Sequence, residues 1–198
     1  MQKINETLFL LINAPATPDV FLLAIAKVLA EQAIWLAPMT LIIGWLRGDE
    51  HTRKLMLEAA ASGLAGLLIN QVIGFYWQHP RPFMLGLGNT FIPHVADSSF
   101  PSDHLTLLWS IAFSFLMHQR PRFAGVALAL LGLPVAWARV YLGVHFPMDM
   151  VGAALVAGSS AYLCFREERW FLEHFYRWTS AIYRWLFAKP IHRGWIRP

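Results

Sequence analysis

Five long apolar segments, each followed by a short polar stretch, constrain this chain more than any other feature of its sequence. A helix needs about 20 mostly apolar residues to cross a bilayer. The chain is 57% hydrophobic and 14% charged, with a mean hydropathy of +0.45, which is too apolar for an ordinary soluble domain. We predict one all-α domain, a polytopic transmembrane bundle of about five spans. The spans cover residues 21–46, 55–77, 102–117, 123–142 and 147–165.

Both ends of the chain carry amphipathic patterns. Near the N-terminus, Leu8, Leu11 and Ile12 recur at helical spacing, which favours a short interfacial helix within residues 1–18. In the tail, aromatic and aliphatic residues follow at intervals of four, three, four and three, at Phe171, Phe175, Trp178, Ile182 and Trp185. Basic residues border this face, as in helices that lie on a membrane. We predict a transmembrane core over 19–166 and an amphipathic cytoplasmic tail over 167–198.

The basic residues predict the orientation of the bundle. Of the 16 Lys and Arg residues, 12 lie in 47–54, 118–122 and the region after residue 165. Cytoplasmic segments carry such an excess, so this side is predicted to face the cytoplasm. The net charge of +4 flanks apolar segments and forms no continuous basic stripe, which argues against nucleic acid as a partner. The sequence predicts no particular protein partner.

Two charged residues lie inside the first apolar segment. Lys27 and Glu31 are four residues apart and share one helical face. Charges within a span usually face the bundle interior and pair with each other. The pattern leaves two interpretations open, a structural ion pair near a helix end and a role beside an active site.

Three short polar stretches, which we call islands, lie at ends of the apolar segments and cover residues 79–82, 100–104 and 139–149. The predicted topology places all three on the outer side. In the third island, Pro147 is a natural first residue of a helix, which puts Asp149 at its third position. From there its carboxylate can reach back to His145. A carboxylate that accepts a proton from one ring nitrogen leaves the other nitrogen free as a nucleophile or base.

The other two islands add groups suited to an anion. Ser102 can cap the helix that begins next to it and places His104 in the first turn, where helix N-termini bind anions. Arg81 and Arg139 supply planar, permanently charged guanidinium groups at the same membrane depth. Together the islands predict one pocket that binds phosphate on the outer side.

The three islands resemble the signature motifs of the type-2 phosphatidic acid phosphatase family, integral membrane phosphatases whose catalytic core is shared with vanadium haloperoxidases. The resemblance covers Arg81-Pro82, Pro101-Ser102-x-His104 and Arg139-x5-His145-x3-Asp149. Within that family the segments at 79–83, 93–104 and 190–198 are similar to bacterial undecaprenyl-diphosphate phosphatases of the bacitracin-resistance subgroup.

The sequence departs from the family pattern at three positions. Gly74 stands where the first motif usually has a lysine, Ala138 replaces a serine, and Asp103 replaces a glycine. The lost lysine removes one cation that binds phosphate, and Lys27 or His79 is a candidate substitute. These departures bear on substrate preference more than on the type of reaction.

The resemblance and the residue chemistry imply the same mechanism. His145, oriented by Asp149, attacks phosphorus and forms a phosphohistidine, while His104 protonates the leaving group and then activates water. The substrate-binding residues are Arg81, Ser102, Asp103 and Arg139. No cofactor or metal is expected. The carboxylates of Asp97 and Asp103 near the site keep magnesium binding as a minor alternative.

The predicted function is hydrolysis of undecaprenyl diphosphate, a polyprenyl lipid, at the outer face of the bacterial inner membrane. This reaction would recycle the lipid carrier of cell-wall synthesis and confer bacitracin resistance. The alternatives are a phosphotransferase from the same lipid to lipid A and a phosphatase for other lipid phosphates. A small membrane transporter is the non-enzyme alternative, with a path lined by Lys27, Glu31, Asn70 and Gln71.

Overall fold

The computed structural model describes residues 2–197, apart from the side chains of residues 168–171, and this part of the chain is helical without strands. Short 3₁₀ turns occupy Ala33–Trp35 and Pro82–Leu85. The helices are α1 (Gln2–Ile12), α2 (Val20–Glu31), α3 (Leu36–Arg47), α4 (Glu50–Tyr76), α5 (Asp103–Leu116), α6 (Arg122–Tyr141), α7 (Pro147–Leu186) and α8 (Ala188–His192).

Four segments of the described chain are long and apolar enough to cross a membrane, one fewer than the five predicted. They are Val20–Arg47, Glu50–Tyr76, Arg122–Tyr141 and Pro147–Glu167. The third predicted span, 102–117, forms α5, which has only 14 residues and extends about 21 Å. Its bounds lie within one residue of the predicted segment at each end, but it is shorter than the about 20 residues that a helix needs to cross a bilayer. The protein is a multi-pass membrane bundle.

The first predicted span is interrupted. Residues 21–46 were expected to form one helix, but α2 and α3 are separated by the 3₁₀ turn at Ala33–Trp35. Pro38 lies in the first turn of α3 and has no backbone N–H to donate to the preceding turn. The helix therefore restarts just before the proline.

Helix α5 forms the centre of the bundle, packed against α4, α6 and α7. Nine of its 14 residues are buried, among them Leu105, Leu108 and Phe115, none of which is exposed at all. Because α5 is enclosed on all these sides, the groups at its N-terminus are fixed relative to the ends of α4, α6 and α7.

A buried polar seam runs along the contact between α4 and α5. On α4 it consists of Glu58, Ser62, Gly66 and Asn70, which recur every four residues. The Ser62 hydroxyl donates to the Ser110 carbonyl at 3.2 Å. Small and hydroxyl side chains allow two helices to approach closely within a membrane.

At the end of the bundle opposite the three islands, ion pairs join the short connections between helices. Arg120 pairs with Asp49 at 2.7 Å and so ties the α5–α6 link to the α3–α4 link. Nearby, His118 Nε2 lies 2.8 Å from a carboxylate oxygen of the fully buried Glu58. Despite its short length, α5 thus connects the same two ends of the bundle as its longer neighbours.

The predicted tail does not begin with a break in the helix. Helix α7 continues through residue 167 and has 40 residues in all. Of the predicted aromatic face, Phe171 lies outside the described side chains, while Phe175, Trp178 and Trp185 are exposed. The division into core and tail, and the position of the tail at the membrane surface, stay predictions.

Candidate active site

The loop between α4 and α5, the start of α5 and the end of α6 with the turn that follows it meet at one end of the bundle. They form a pocket that we call the cup, defined by Arg81, His104, Arg139 and His145. A tight turn between α6 and α7 carries His145 into this position. Gly143 in that turn has φ +84°, and a Cβ there would strike the Asn89 carbonyl, so glycine is required.

The start of α7 orients His145 through Asp149. Pro147 is the first residue of the helix, and Asp149, at the third position, accepts a hydrogen bond from the Phe146 backbone N–H at 2.8 Å. The same carboxylate oxygen lies 3.1 Å from His145 Nδ1. This is the local geometry that the sequence predicted from the Pro147 to Asp149 spacing.

The contacts of His145 define its tautomer. Its Nε2 lies 3.1 Å from Arg81 Nη1 and 3.4 Å from Arg139 Nη2, and guanidinium nitrogens can only donate. Nε2 is therefore unprotonated and presents its lone pair to the guanidinium groups, and Nδ1 carries the proton that it donates to Asp149. His145 is presented as a neutral imidazole with an available nucleophilic nitrogen.

The electrostatic surroundings keep His145 neutral. Burial is the main cause that lowers the pKa of His145 well below its usual value, and the positive charges of Arg139 and Arg81 act in the same direction. A protonated imidazole would lose its nucleophilic lone pair. The same cations that can bind phosphate thus also preserve the nucleophile.

All three guanidinium nitrogens of Arg81 donate hydrogen bonds, which fix the side chain in the cup. Nε donates to Asp97 at 2.8 Å, Nη1 to the Val144 carbonyl at 2.9 Å and Nη2 to the Ser98 carbonyl at 3.2 Å. Only 5% of Arg81 is exposed. Asp97, a secondary candidate, therefore anchors an arginine.

Arg139 has fewer hydrogen-bond partners than Arg81. Its Nη1 donates to the Ala30 carbonyl at 3.4 Å, and Nη2 lies 2.9 Å from His94 Nε2. Its buried Nε has no hydrogen-bond partner in the described structure. Arg139 consequently keeps donor capacity for an anion in the cup.

Ser99 and His94 are parts of this site that the sequence reasoning did not assign. The fully buried Ser99 hydroxyl donates to the Asp149 carboxylate oxygen that also faces His145. No helical or strand spacing links either residue to Asp149 or Arg139, because both lie in the irregular loop before α5. Their polarity beside the Pro101-Ser102-x-His104 segment was the only available signal.

Two residues at the start of α5 differ from expectation in detail. Ser102 occupies the N-cap position, but its side chain makes no capping hydrogen bond, so that prediction was wrong. Its buried Oγ has no partner in the described structure and can still bind an oxygen of a ligand. His104 is half-buried and lies close enough to Arg139, Arg81 and His94 for their charges to interact.

Asp103 and His79 lie to one side of the cup. Asp103 accepts hydrogen bonds from Asn70 at 2.8 Å and Gln71 at 3.4 Å, both on α4. With His79 and Asp97 it lines a neighbouring cavity of about 660 Å³. The carboxylate therefore faces α4, and its predicted role in substrate binding stays a prediction.

Lys27 and Glu31 do not form the predicted ion pair in the described structure. Glu31 is exposed and acts electrostatically on Arg139, whereas Lys27 is half-buried without a hydrogen bond or ion pair among the described residues. The two side chains are four residues apart, but only the glutamate reaches the surroundings of the cup. Lys27 or His79 as the substitute for the missing family lysine at Gly74 stays a prediction.

The fold and the cup define a multi-pass membrane protein that brings imidazole and guanidinium groups together in one pocket. The sequence profile described as the PAP2 superfamily matches residues 55–172. YbjG of Escherichia coli (strain K12) is 35% identical over 198 residues, which cover 100% of this chain and 99% of that protein. The undecaprenyl-diphosphatase BcrC of Bacillus subtilis (strain 168) is 36% identical over 94% of this chain and 97% of its own length.

A solved structure shows the same fold. The crystal structure of Aquifex aeolicus LpxE superposes with a TM-score of 0.67 at 22% identity, covering 82% of this chain and 95% of that one. The chain therefore belongs to the PAP2 superfamily. It is an enzyme of the phosphatase class.

Proposed function

We propose that this protein hydrolyses undecaprenyl diphosphate to undecaprenyl phosphate and inorganic phosphate through a phosphohistidine. The observation that carries the proposal is the neutral His145, whose free Nε2 faces both guanidinium groups. The substrate is proposed from BcrC, which is named an undecaprenyl-diphosphatase and aligns over 94% of this chain.

In the first step the terminal phosphate enters the cup from the side of His104 and the adjacent His94, both of which are only half-buried. The free donors of Arg139, those of Arg81 and the Ser102 hydroxyl then bind its oxygens. Negative charge gathers on these oxygens in the transition state, so donors fixed in advance lower the barrier.

In the second step His145 Nε2 attacks phosphorus in line with the bridging oxygen. The N–P bond forms as the P–O bond to the lipid phosphate breaks. His104, protonated as the anionic substrate offsets the positive charges of Arg139 and Arg81, donates that proton to the departing oxygen. Asp149 stabilises the positive His145 ring that results through Nδ1–H.

In the third step His104, now neutral, removes a proton from a water molecule. The hydroxyl oxygen bonds to phosphorus, the N–P bond breaks, and its electron pair returns to His145 Nε2. Inorganic phosphate leaves, and both histidines regain their initial states. The scheme uses only side chains of this chain and requires no metal.

We further propose that the cup faces outward from the bacterial inner membrane, toward the periplasm or the exterior. The concentration of Lys and Arg at the opposite end supports this orientation. There the enzyme would return the carrier lipid to cell-wall synthesis. Overexpression would then raise the bacitracin concentration that cells tolerate.

The test is phosphate release from a panel of purified lipid phosphates and diphosphates, with and without EDTA. We expect the highest rate with undecaprenyl diphosphate and no loss in EDTA. His145→Ala should fold but lose activity, whereas His104→Ala should lose turnover and retain more phosphoenzyme after an alkaline detergent quench, because phosphohistidine is stable in base and labile in acid. Turnover of His145→Ala at the wild-type rate would exclude the nucleophile assignment.

The acceptor of the phosphoryl group is tested separately. Incubation with the carrier diphosphate alone should release inorganic phosphate at the full rate, because water completes the cycle. A rate that depends on an added sugar lipid would favour the phosphotransferase alternative.

A further inference from the structure

His94 lies in the loop before α5 and contacts the cup directly. Its Nε2 is 2.9 Å from Arg139 Nη2, and its ring centroid is 6.0 Å from that of His145. The side chain is half-buried, whereas Arg139 and His145 are each 2% exposed. His94 is therefore placed where a ligand passes between solvent and the nucleophile.

The hydrogen bonds of His94 define its protonation state. Nδ1 lies 3.2 Å from the Val95 carbonyl, which can only accept, so Nδ1 carries a proton. Nε2 faces Arg139, which can only donate, so Nε2 presents a lone pair. In this state His94 occupies one of the N–H groups that Arg139 could offer to phosphate.

A phosphate oxygen on Arg139 Nη2 changes this arrangement. The lone pair of His94 Nε2 would then face an anionic oxygen, which is repulsive. Protonation of Nε2 converts this contact into a charge-assisted hydrogen bond. The proton can come from solvent because the ring is half-buried.

We propose that His94 is a substrate-binding residue that takes up a proton at Nε2 as phosphate binds, donates to a phosphate oxygen, and releases Arg139 to the same anion. This inference rests on the proposed function of the cup as a phosphate site. It assigns to the loop before α5 a contact with the substrate that the three motifs do not contain.

The charges around His94 fit a proton that arrives with the ligand. Burial, followed by the positive charge of Arg81, lowers the pKa of His94; Arg139 also lowers it, while the Val95 hydrogen bond and Asp97 oppose these effects. His104 and His145 face the same space, and Glu31 acts on Arg139. An incoming dianion offsets the cations and favours the protonated ring.

The alternative is that His94 only positions Arg139 and never touches substrate. His94→Gln distinguishes the two roles, because an amide oxygen can still accept from Arg139 but cannot take up a proton. His51→Gln, an exposed histidine at the opposite end of the bundle, is the matched control for losing one imidazole.

The experiment titrates sulfate, a tetrahedral dianion whose charge stays constant from about pH 5 to about pH 8, into the purified protein in detergent. Calorimetry in buffers of different ionisation enthalpy counts the protons bound. We expect wild type and His51→Gln to take up close to one proton more per sulfate than His94→Gln. Their affinity should weaken by up to about tenfold per pH unit as pH rises, and that of His94→Gln should change less.

Equal proton uptake by wild type and His94→Gln would overturn the inference, as would no uptake by wild type at all. Thermal unfolding of each variant verifies that it is folded, and His94→Asn provides a second substitution. The titration needs no lipid substrate, so its failure leaves the proposed diphosphatase activity standing. Failure of the lipid assay likewise leaves the sulfate result intact.

Discussion

His145 is held at both ring nitrogens, by a carboxylate on one side and by two guanidinium groups on the other. Its contact with Asp149 is local, because both residues belong to the turn that starts α7. A sequence pattern can predict such a contact. The contacts to Arg81 and His94 depend on how the loop over 77–102 folds back, and no spacing rule predicts that path.

Replacement of Asp149 tests the orientation of the nucleophile. Asp149→Asn keeps the shape of the side chain, but its amide can donate to Nδ1 and so favours the wrong tautomer of His145. We expect kcat to fall by about 10²–10⁴-fold, with a smaller effect on KM. Phosphate release under saturating substrate measures this loss, and a kcat within twofold of wild type would contradict it.

The pH dependence of activity follows from the lowered pKa of His145. A lowered pKa means that the neutral, reactive form persists as pH falls below the usual histidine range. We expect the acidic limb of kcat/KM to lie below about pH 6.5, after correction for the ionisation of the substrate. A limb above that value would show that the cations of the cup do not control the nucleophile.

At the scale of elements, α4, α5 and α7 pack tightly around Gly66. A Cβ at this position would lie 2.7 Å from Ser110 Oγ, 2.9 Å from Thr106 Cγ2 and 3.2 Å from Ser160 Oγ. The backbone of α4 therefore approaches the buried hydroxyl groups of two other helices. The small-residue spacing in the sequence indicated close packing, but it did not identify these partners.

Two glycine substitutions measure this packing. Gly66→Ala should lower the free energy of unfolding by about 1–3 kcal/mol, since the neighbouring helices must move apart. Gly158→Ala is the control, because a Cβ there meets nothing within 4 Å; it should be neutral or slightly stabilising. Thermal or denaturant unfolding in detergent compares them, and equal effects would show that the seam tolerates expansion.

At the scale of the whole molecule, the cup and most basic residues lie at opposite ends of the bundle. The cup lies at the N-terminal ends of α5 and α7, and the Arg120–Asp49 pair joins the links at the other end. Four long apolar segments and the shorter α5 connect these ends. The charge distribution then gives each end its proposed side of the membrane.

Cysteine labelling tests the proposed orientation. Cys164 is the only cysteine, so Cys164→Ser provides a background without thiols. Val95→Cys at the cup end should react with an impermeant maleimide in intact cells, whereas His51→Cys should react only after permeabilisation; both positions are exposed. The reverse pattern would place the cup in the cytoplasm.

The sequence by itself determined the helical membrane class, the polar islands and the pairing of His145 with Asp149. Hydropathy and helix-start geometry depend on short stretches of chain, so the sequence alone can predict these features. Only the tertiary structure decided that α5 is a short central helix, that Ser99 supports Asp149, and that His94 and His145 both contact Arg139. Those features join residues distant in sequence, and their geometry depends on the packed bundle and the folded loop.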